Sequence, residues 1–281
     1  MQAFPEFRDT DPSFWALVKY VSETLGYTNR RTKSIRTYSI ENIVDLLRTR
    51  NIAASNLLVR RLKEYFDKRA SLLNDYVRNL LMTADEAKET FEELLPIYED
   101  GQFLCKLPMN KQSGEMKRVN YFAAIINILA EDTIRHSSAY DGFSLGFNDD
   151  PHGLVYVLDD HANLIGASSR RFDGAYPDIM NPKIIWEIKE YYYTTTFGSR
   201  VADGVYETQL DGYEFRDIEN NYGKKVVHVF FTDAYKTWWI DGKSYLCRII
   251  DFLNSGLVDE VIIGREVVTR WPELLMSVIE E

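Results

Sequence analysis

The chain has 281 residues, of which 45% are apolar and 27% charged, a globular composition that excludes general disorder. Its longest apolar runs, such as Phe122 to Ile126 and Val229 to Phe231, fall far short of the roughly 20 residues of a membrane helix, so no membrane partner is expected. The net charge of −10 is uneven: residues 1–80 carry 14 Lys or Arg against 9 Asp or Glu, residues 81–118 carry 5 against 8, and residues 119–281 carry 14 against 26. Broad contact with a polyanion is therefore excluded outside the first segment, and the acidic remainder suits carboxylates gathered around a divalent cation.

The first 100 residues read as helices. Asp11-Pro12 starts one, with Phe14, Trp15, Leu17, Val18 and Val21 on its apolar face, and Gly26 stops it. Ser39 caps a second over Ile40, Ile43, Val44 and Leu47; a break at 51–54 precedes Ser55 and a third with Leu58, Leu62, Tyr65 and Phe66. Thr83 and Glu86 have capping-box spacing for a helix through Tyr98, and residues 101–118, with Gly101, Pro108, Asn110 and Gly114, read as a linker. Beyond it the expected order is helix 119–136, strand 154–158, extended segment 168–179, strand 183–195, helix 201–218, strand 226–232, helix 242–253, strand 258–264 and a short last helix. This α-β-β-β-α-β-α-β-α order predicts an α/β domain with a mixed sheet over 119–281, behind an all-helical segment 1–100.

The N-terminus lacks a basic start, apolar run and cleavage site, so no secretory signal is expected. Cys105 and Cys247 show no paired spacing and read as free thiols of a reducing compartment, which makes the cytoplasm the expected location.

Residues 177–189 carry the most chemistry. Met180-Asn181-Pro182 is a turn signal, so Asp178 and Glu187 are expected to face one another across a hairpin. Glu187 and Lys189, two apart on a strand, share one face, with Trp186 and Ile188 on the other. Two carboxylates and an ammonium group at a sheet end suit one or two Mg²⁺ ions and a metal-bound water, which the lysine orients or helps to deprotonate. Asp173, five positions before Asp178, is expected on the opposite face and outside the site.

Asp178-x8-Glu187-x-Lys189, with the proline before Asp178 and the element order of 119–281, resembles the P-D-x(n)-(D/E)-x-K nuclease superfamily, best known from type II restriction endonucleases. The resemblance implies an αβββαβ core, Asp178 and Glu187 as Mg²⁺ ligands and Lys189 as the catalytic lysine. It also implies cleavage of double-stranded DNA to a 5′-phosphate and a 3′-hydroxyl, commonly by a homodimer. By the same resemblance Glu131, in the helix before the first core strand, is a further metal ligand. Gln209 and Tyr213, in the Q-x-x-x-Y form of an exonuclease-like branch, are auxiliary residues.

Residues 28–69 hold 11 basic and 4 acidic side chains. Arg30, Arg31, Lys33 and Arg36 precede two helices joined by a short turn, and the second carries Arg60, Arg61 and Lys63. That arrangement suits either a helix-turn-helix on DNA or a solvated helical face. Trp238-Trp239 reads as a pair of core anchors, with a base-contacting loop as the alternative. Gly142-Phe143-Ser144-Leu145-Gly146 has the nucleophile-elbow form, but loop residues follow it where the elbow needs a helix. His136, His152, His161 and His228 have no zinc-ligand spacing. A repair or junction-resolving nuclease and a non-catalytic DNA-binding regulator are the alternatives to a restriction-type enzyme.

Overall fold

The computed structural model describes residues 1–8, 10–29, 31–109, 118–193 and 198–281. The protein is mixed α/β, built from helices and a mixed four-stranded sheet. Helices α1 (Pro12–Leu25), α2 (Ile40–Thr49) and α3 (Asn56–Ser71) form where local signals put them: Asp11, Ser39 and Ser55 accept hydrogen bonds from the amides of Ser13, Asn42 and Leu58. Phe14, Val18, Ile43, Leu47, Leu62, Tyr65 and Phe66 close one core among these three helices.

A π-helical turn, Leu72–Val77, and the single turn α4 (Arg78–Leu80) lead to α5 (Ala84–Asp100), which starts on the expected Thr83–Glu86 capping box. Packing draws α5 away from the helices before it: Ala87 and Phe91 are buried in one core with α6 (Tyr121–Arg135) and α9 (Val267–Glu280). α5 thus packs with residues on the far side of the expected 101–118 linker, and Leu73, Val77 and Leu81 before it pack against Phe230 and Leu246. Residues 110–117 of that expected linker lie outside the described residues.

After α6, strands β1 (Tyr156–Leu158) and β2 (Leu164–Ala167) pair as a separate hairpin, one strand more than the sequence order predicts. The main sheet runs β3 (Gly174–Tyr176), β4 (Ile184–Glu190), β5 (Val227–Asp233), β6 (Glu260–Ile263) in that spatial order. β3 is antiparallel to β4, and the β4–β5 and β5–β6 pairs are parallel, with crossovers through α7 (Ser199–Tyr222) and α8 (Lys243–Asn254). Trp186, Val229, Phe231 and Ile262 pack towards α6 and α9, while Ile185 meets Phe215 and Ile218 of α7, and Phe230 and Val261 meet Leu246 and Ile250 of α8. Gly174 is required where β3 crosses Trp186, because a Cβ there would sit 2.1 Å from the indole. Trp238 and Trp239 are buried, as expected of core anchors.

One ion pair ties the first helices to the sheet layer. Arg69 on α3 is fully buried and donates to both oxygens of Asp251 on α8 at 2.9 Å. Burial opposes its charge, but Asp251 holds the guanidinium firmly protonated.

Candidate active site

Glu187 and Lys189 leave β4 on the α7 side, as the strand period requires, with Trp186 and Ile188 on the other. Gly204 of α7 makes room for the lysine: a Cβ there would lie 2.9 Å from Lys189 Cε. Lys189 pairs with Glu187 Oε1 and reaches Glu207 at 3.2 Å. Arg170 Nη1 donates to Glu187 Oε2 at 2.8 Å, and Arg170 Nη2 donates to Asp211 of α7 at 2.6 Å. The result is a line of alternating charge, Asp211, Arg170, Glu187, Lys189 and Glu207, under α7.

Burial works against the charge on Glu187, but Lys189 and then Arg170 hold its carboxyl below the usual range. Burial also opposes the charge on Lys189, and the Glu187 carboxylate overcomes it, so the ammonium stays protonated well above its usual range. Lys189 can offset negative charge and donate hydrogen bonds here; it cannot take a proton from water near neutral pH. Burial pushes Asp211 up to about 6 despite its contact with Arg170.

Asp173, expected outside the site, lies next to this cluster. The register pairs Gly174 with Trp186 and Tyr176 with Ile184, so Asp173, just before β3, lies alongside the Trp186–Ile188 stretch of β4 and close enough for the Glu187 charge to act on it. Its amide donates to Trp186 O at 3.0 Å and its Oδ2 accepts from the Ile188 amide at 2.7 Å. β4 runs on past this point without an antiparallel partner in the sheet, and beside that open edge lies a cleft of about 890 Å³. Asp173, Glu190, Arg171, Arg200 and Lys106 line it. Asp173 is exposed to the cleft, yet the protein crowded around it, followed by the Glu187 charge, pushes its carboxyl up to about 7. Glu190 accepts from the amides of Phe122 and Ala123 at the start of α6, and burial, followed in the same direction by nearby Asp233 and Asp173, pushes it up to about 8 against those two bonds.

Asp178 is elsewhere. It lies beyond the far end of β3, in the loop towards Ile184, where its Oδ1 accepts from Asn148 Nδ2 and from its neighbour's amide, both at 2.7 Å. In an antiparallel pair the residue nearest the turn on one strand meets the residue nearest the turn on the other, and Glu187 is too far along β4 to meet Asp178. Counting equal steps outward from Met180 would have found Asp173, with the spacing Asp173-x13-Glu187-x-Lys189.

Glu131 is buried in α6 and fully engaged as a local anchor, accepting from the amides of Leu104 and Cys105 and from Arg135. Gln209 and Tyr213 lie on the side of α7 opposite Asp211 and line a different cavity. Of the basic set, Arg30 lies outside the described residues. Arg31 is exposed, with its backbone tied to Asn29 Oδ1, and Lys33 closes the same turn. Arg36 bonds to Leu25 O and stacks on Tyr38. Arg61 donates to Glu6 O and Thr10 Oγ1 beside Phe7, and Lys63 pairs with Asp67, which leaves Arg60 exposed on α3. The Ser144 hydroxyl bonds to Asp141 in a loop, not at a strand-to-helix elbow. His228 is buried between Phe172 and Phe215, and burial lowers its pKa to about 4.

Among the described residues no group of three or more His, Cys, Asp or Glu is gathered to hold a metal ion. The donor chemistry nonetheless fits one divalent cation at the Asp173–Glu187 pair. Asp173 keeps an oxygen open to the cleft, whereas both Glu187 oxygens are held by Lys189 and Arg170, so a cation joins this pair by displacing one of those contacts. No helix is long and apolar enough to cross a membrane.

The arrangement is that of an α/β protein with a charged carboxylate–lysine cluster at the open end of its central strand. Residues 82–278 match the family described as a domain of unknown function, DUF7687, and the chain belongs to that family; residues 1–76 match a second, DUF7690. No curated protein and no solved structure matches the chain.

Proposed function

We propose that the chain is a Mg²⁺-dependent nuclease that hydrolyses phosphodiester bonds of double-stranded DNA, with a restriction-endonuclease-like core behind an N-terminal helical domain. The observation that carries this reading is the Glu187–Lys189 pair held under α7 next to Asp173, which lines the adjoining cleft together with Arg171 and Arg200. Asp173 and Glu187 would hold the cation. When bound, it supplies Lewis-acid polarisation of the phosphate and lowers the pKa of a coordinated water.

The remaining groups position and compensate. Lys189, held as an ammonium by Glu187, offsets charge that builds on the phosphate oxygens. Arg170 fixes the Glu187 carboxylate from behind, and Arg171 and Arg200 meet the flanking phosphates as point charges at the cleft wall. A homodimer that presents one such site to each strand is part of the proposal, as is a cytoplasmic location.

The test is incubation of the purified protein with plasmid DNA and Mg²⁺, followed by mapping of the ends, with Asp173→Asn and Glu187→Gln as controls. Discrete ends lost in both variants support a site-specific endonuclease. Cleavage that survives both variants removes this site from the reaction, and DNA binding without cleavage makes the chain a non-catalytic regulator.

A further inference from the structure

Behind α7, on the side away from Glu187, a cavity of about 380 Å³ opens between α1 and helices α7 and α8. That volume lies in the range of small-ligand pockets, roughly 300–1,000 Å³. Tyr206 and Tyr213 stand two turns apart on α7 and share its outer face. They are 54% and 47% exposed, an unusual way for a folded chain to leave two large aromatic side chains, and Trp15 lines the opposite wall on α1.

The charges around the cavity do not cancel. Glu23 is taken by Arg248 at 2.6 Å and Asp251 by Arg69 at 2.9 Å. Lys19 and Arg216 have no carboxylate partner among the described residues; Arg216 lies 4.9 Å over the Tyr213 ring, where it rigidifies one face of a stacking platform and keeps its donors free. Aromatic faces flanked by two unpaired cations on different helices select a flat π-system that carries an anionic group at some distance from it.

We propose that this cavity binds a free mononucleotide, the base stacking against the aromatic wall and the phosphate meeting Lys19 and Arg216. The volume takes one nucleotide, which favours a free ligand over a strand. The site is independent of the nuclease reading, and its test uses no metal and reads binding, not cleavage.

Titration of the full chain with AMP, UMP, adenosine and inorganic phosphate, followed by calorimetry and tryptophan fluorescence, reads the binding directly. Expected are saturation by AMP or UMP at one per chain and weaker binding of adenosine and phosphate. Arg216→Gln, Tyr213→Ala or Lys19→Gln each raises the nucleotide Kd at least about tenfold, the size of one lost stacking or phosphate contact, with the melting temperature unchanged. Absence of saturation by either nucleotide at millimolar concentration overturns the proposal, as does wild-type affinity in all three variants. A single-stranded octanucleotide that binds these residues more tightly than AMP assigns the cavity to a strand and overturns the free-nucleotide assignment.

Discussion

Arg170 Nη1 lies 2.8 Å from Glu187 Oε2, and the same guanidinium is the charge partner of buried Asp211. One arginine from the segment before β3 thus neutralises carboxylates from β4 and α7 at once. Removing one partner of a buried ion pair typically costs about 3–5 kcal/mol because the other charge is left uncompensated. Arg170→Ala is therefore expected to lose stability on that scale in urea unfolding, with Arg170→Lys recovering only part. A variant as stable as the wild type would show that the cluster carries no structural weight.

Asp173 and Asp178 separate sharply in the proposed reaction. Asp173→Ala removes a carboxylate from the cation site, and a loss of at least about a hundredfold in cleavage rate is expected, about 2.7 kcal/mol of barrier. Asp178→Ala touches only Asn148 and the local turn, so its rate should stay near that of the wild type. Single-turnover cleavage of the two variants side by side reads the difference; the reverse order would return the site to Asp178.

Asp173 also makes a pH prediction without metal. Its carboxyl sits at about 7 in the folded protein against an ordinary value of 3.8, so the folded state holds this proton more tightly than the unfolded chain does. Folding then loses stability as pH rises between those two values and regains none above them. Asp173→Asn removes this slope, and its melting temperature should match the wild type near pH 3 and exceed it at pH 8. Added Mg²⁺ should raise the wild-type melting temperature at pH 8 and leave the variant's almost unchanged.

Glu131 should behave as a structural group. Its carboxylate takes two backbone amides and Arg135 inside the α5–α6 layer, so Glu131→Gln is expected to lower the melting temperature while Mg²⁺ affinity, measured by calorimetry, stays the same. A fall in metal affinity at unchanged stability would assign it to the metal site instead.

The basic helix α3 yields a contrast between neighbours. Arg60 is exposed and free of ion pairs among the described residues, whereas Arg61 is engaged by the chain near Glu6 and Thr10. If this face meets phosphate, Arg60→Gln should flatten the salt dependence of DNA binding by about 0.9 log unit per log salt. Arg61→Gln should change the slope less and lower the melting temperature more. Equal, unchanged slopes would make α3 a solvated face.

Local chemistry alone determined much of this protein. Asp11, Ser39, Ser55 and Thr83 cap the helices that follow them because a cap needs only an oxygen within a few residues of a free amide, and Glu187 and Lys189 share a face because the strand pleat has a period of two. What the sequence left open were relations across space. Asp173 replaced Asp178 beside Glu187 because strand register decides cross-strand neighbours, and Arg170 and Asp211 entered the cluster only when the segment before β3 and the inner face of α7 met over β4. Gln209 and Tyr213 lie on the outer face of α7 because the rotation of a helix about its axis is set by which residues its neighbours bury, here Thr208, Asp211 and Phe215. Glu131 became an anchor because α5 docked on α6 and brought the amides of Leu104 and Cys105 to it, a contact between residues far apart in the chain that no local pattern records.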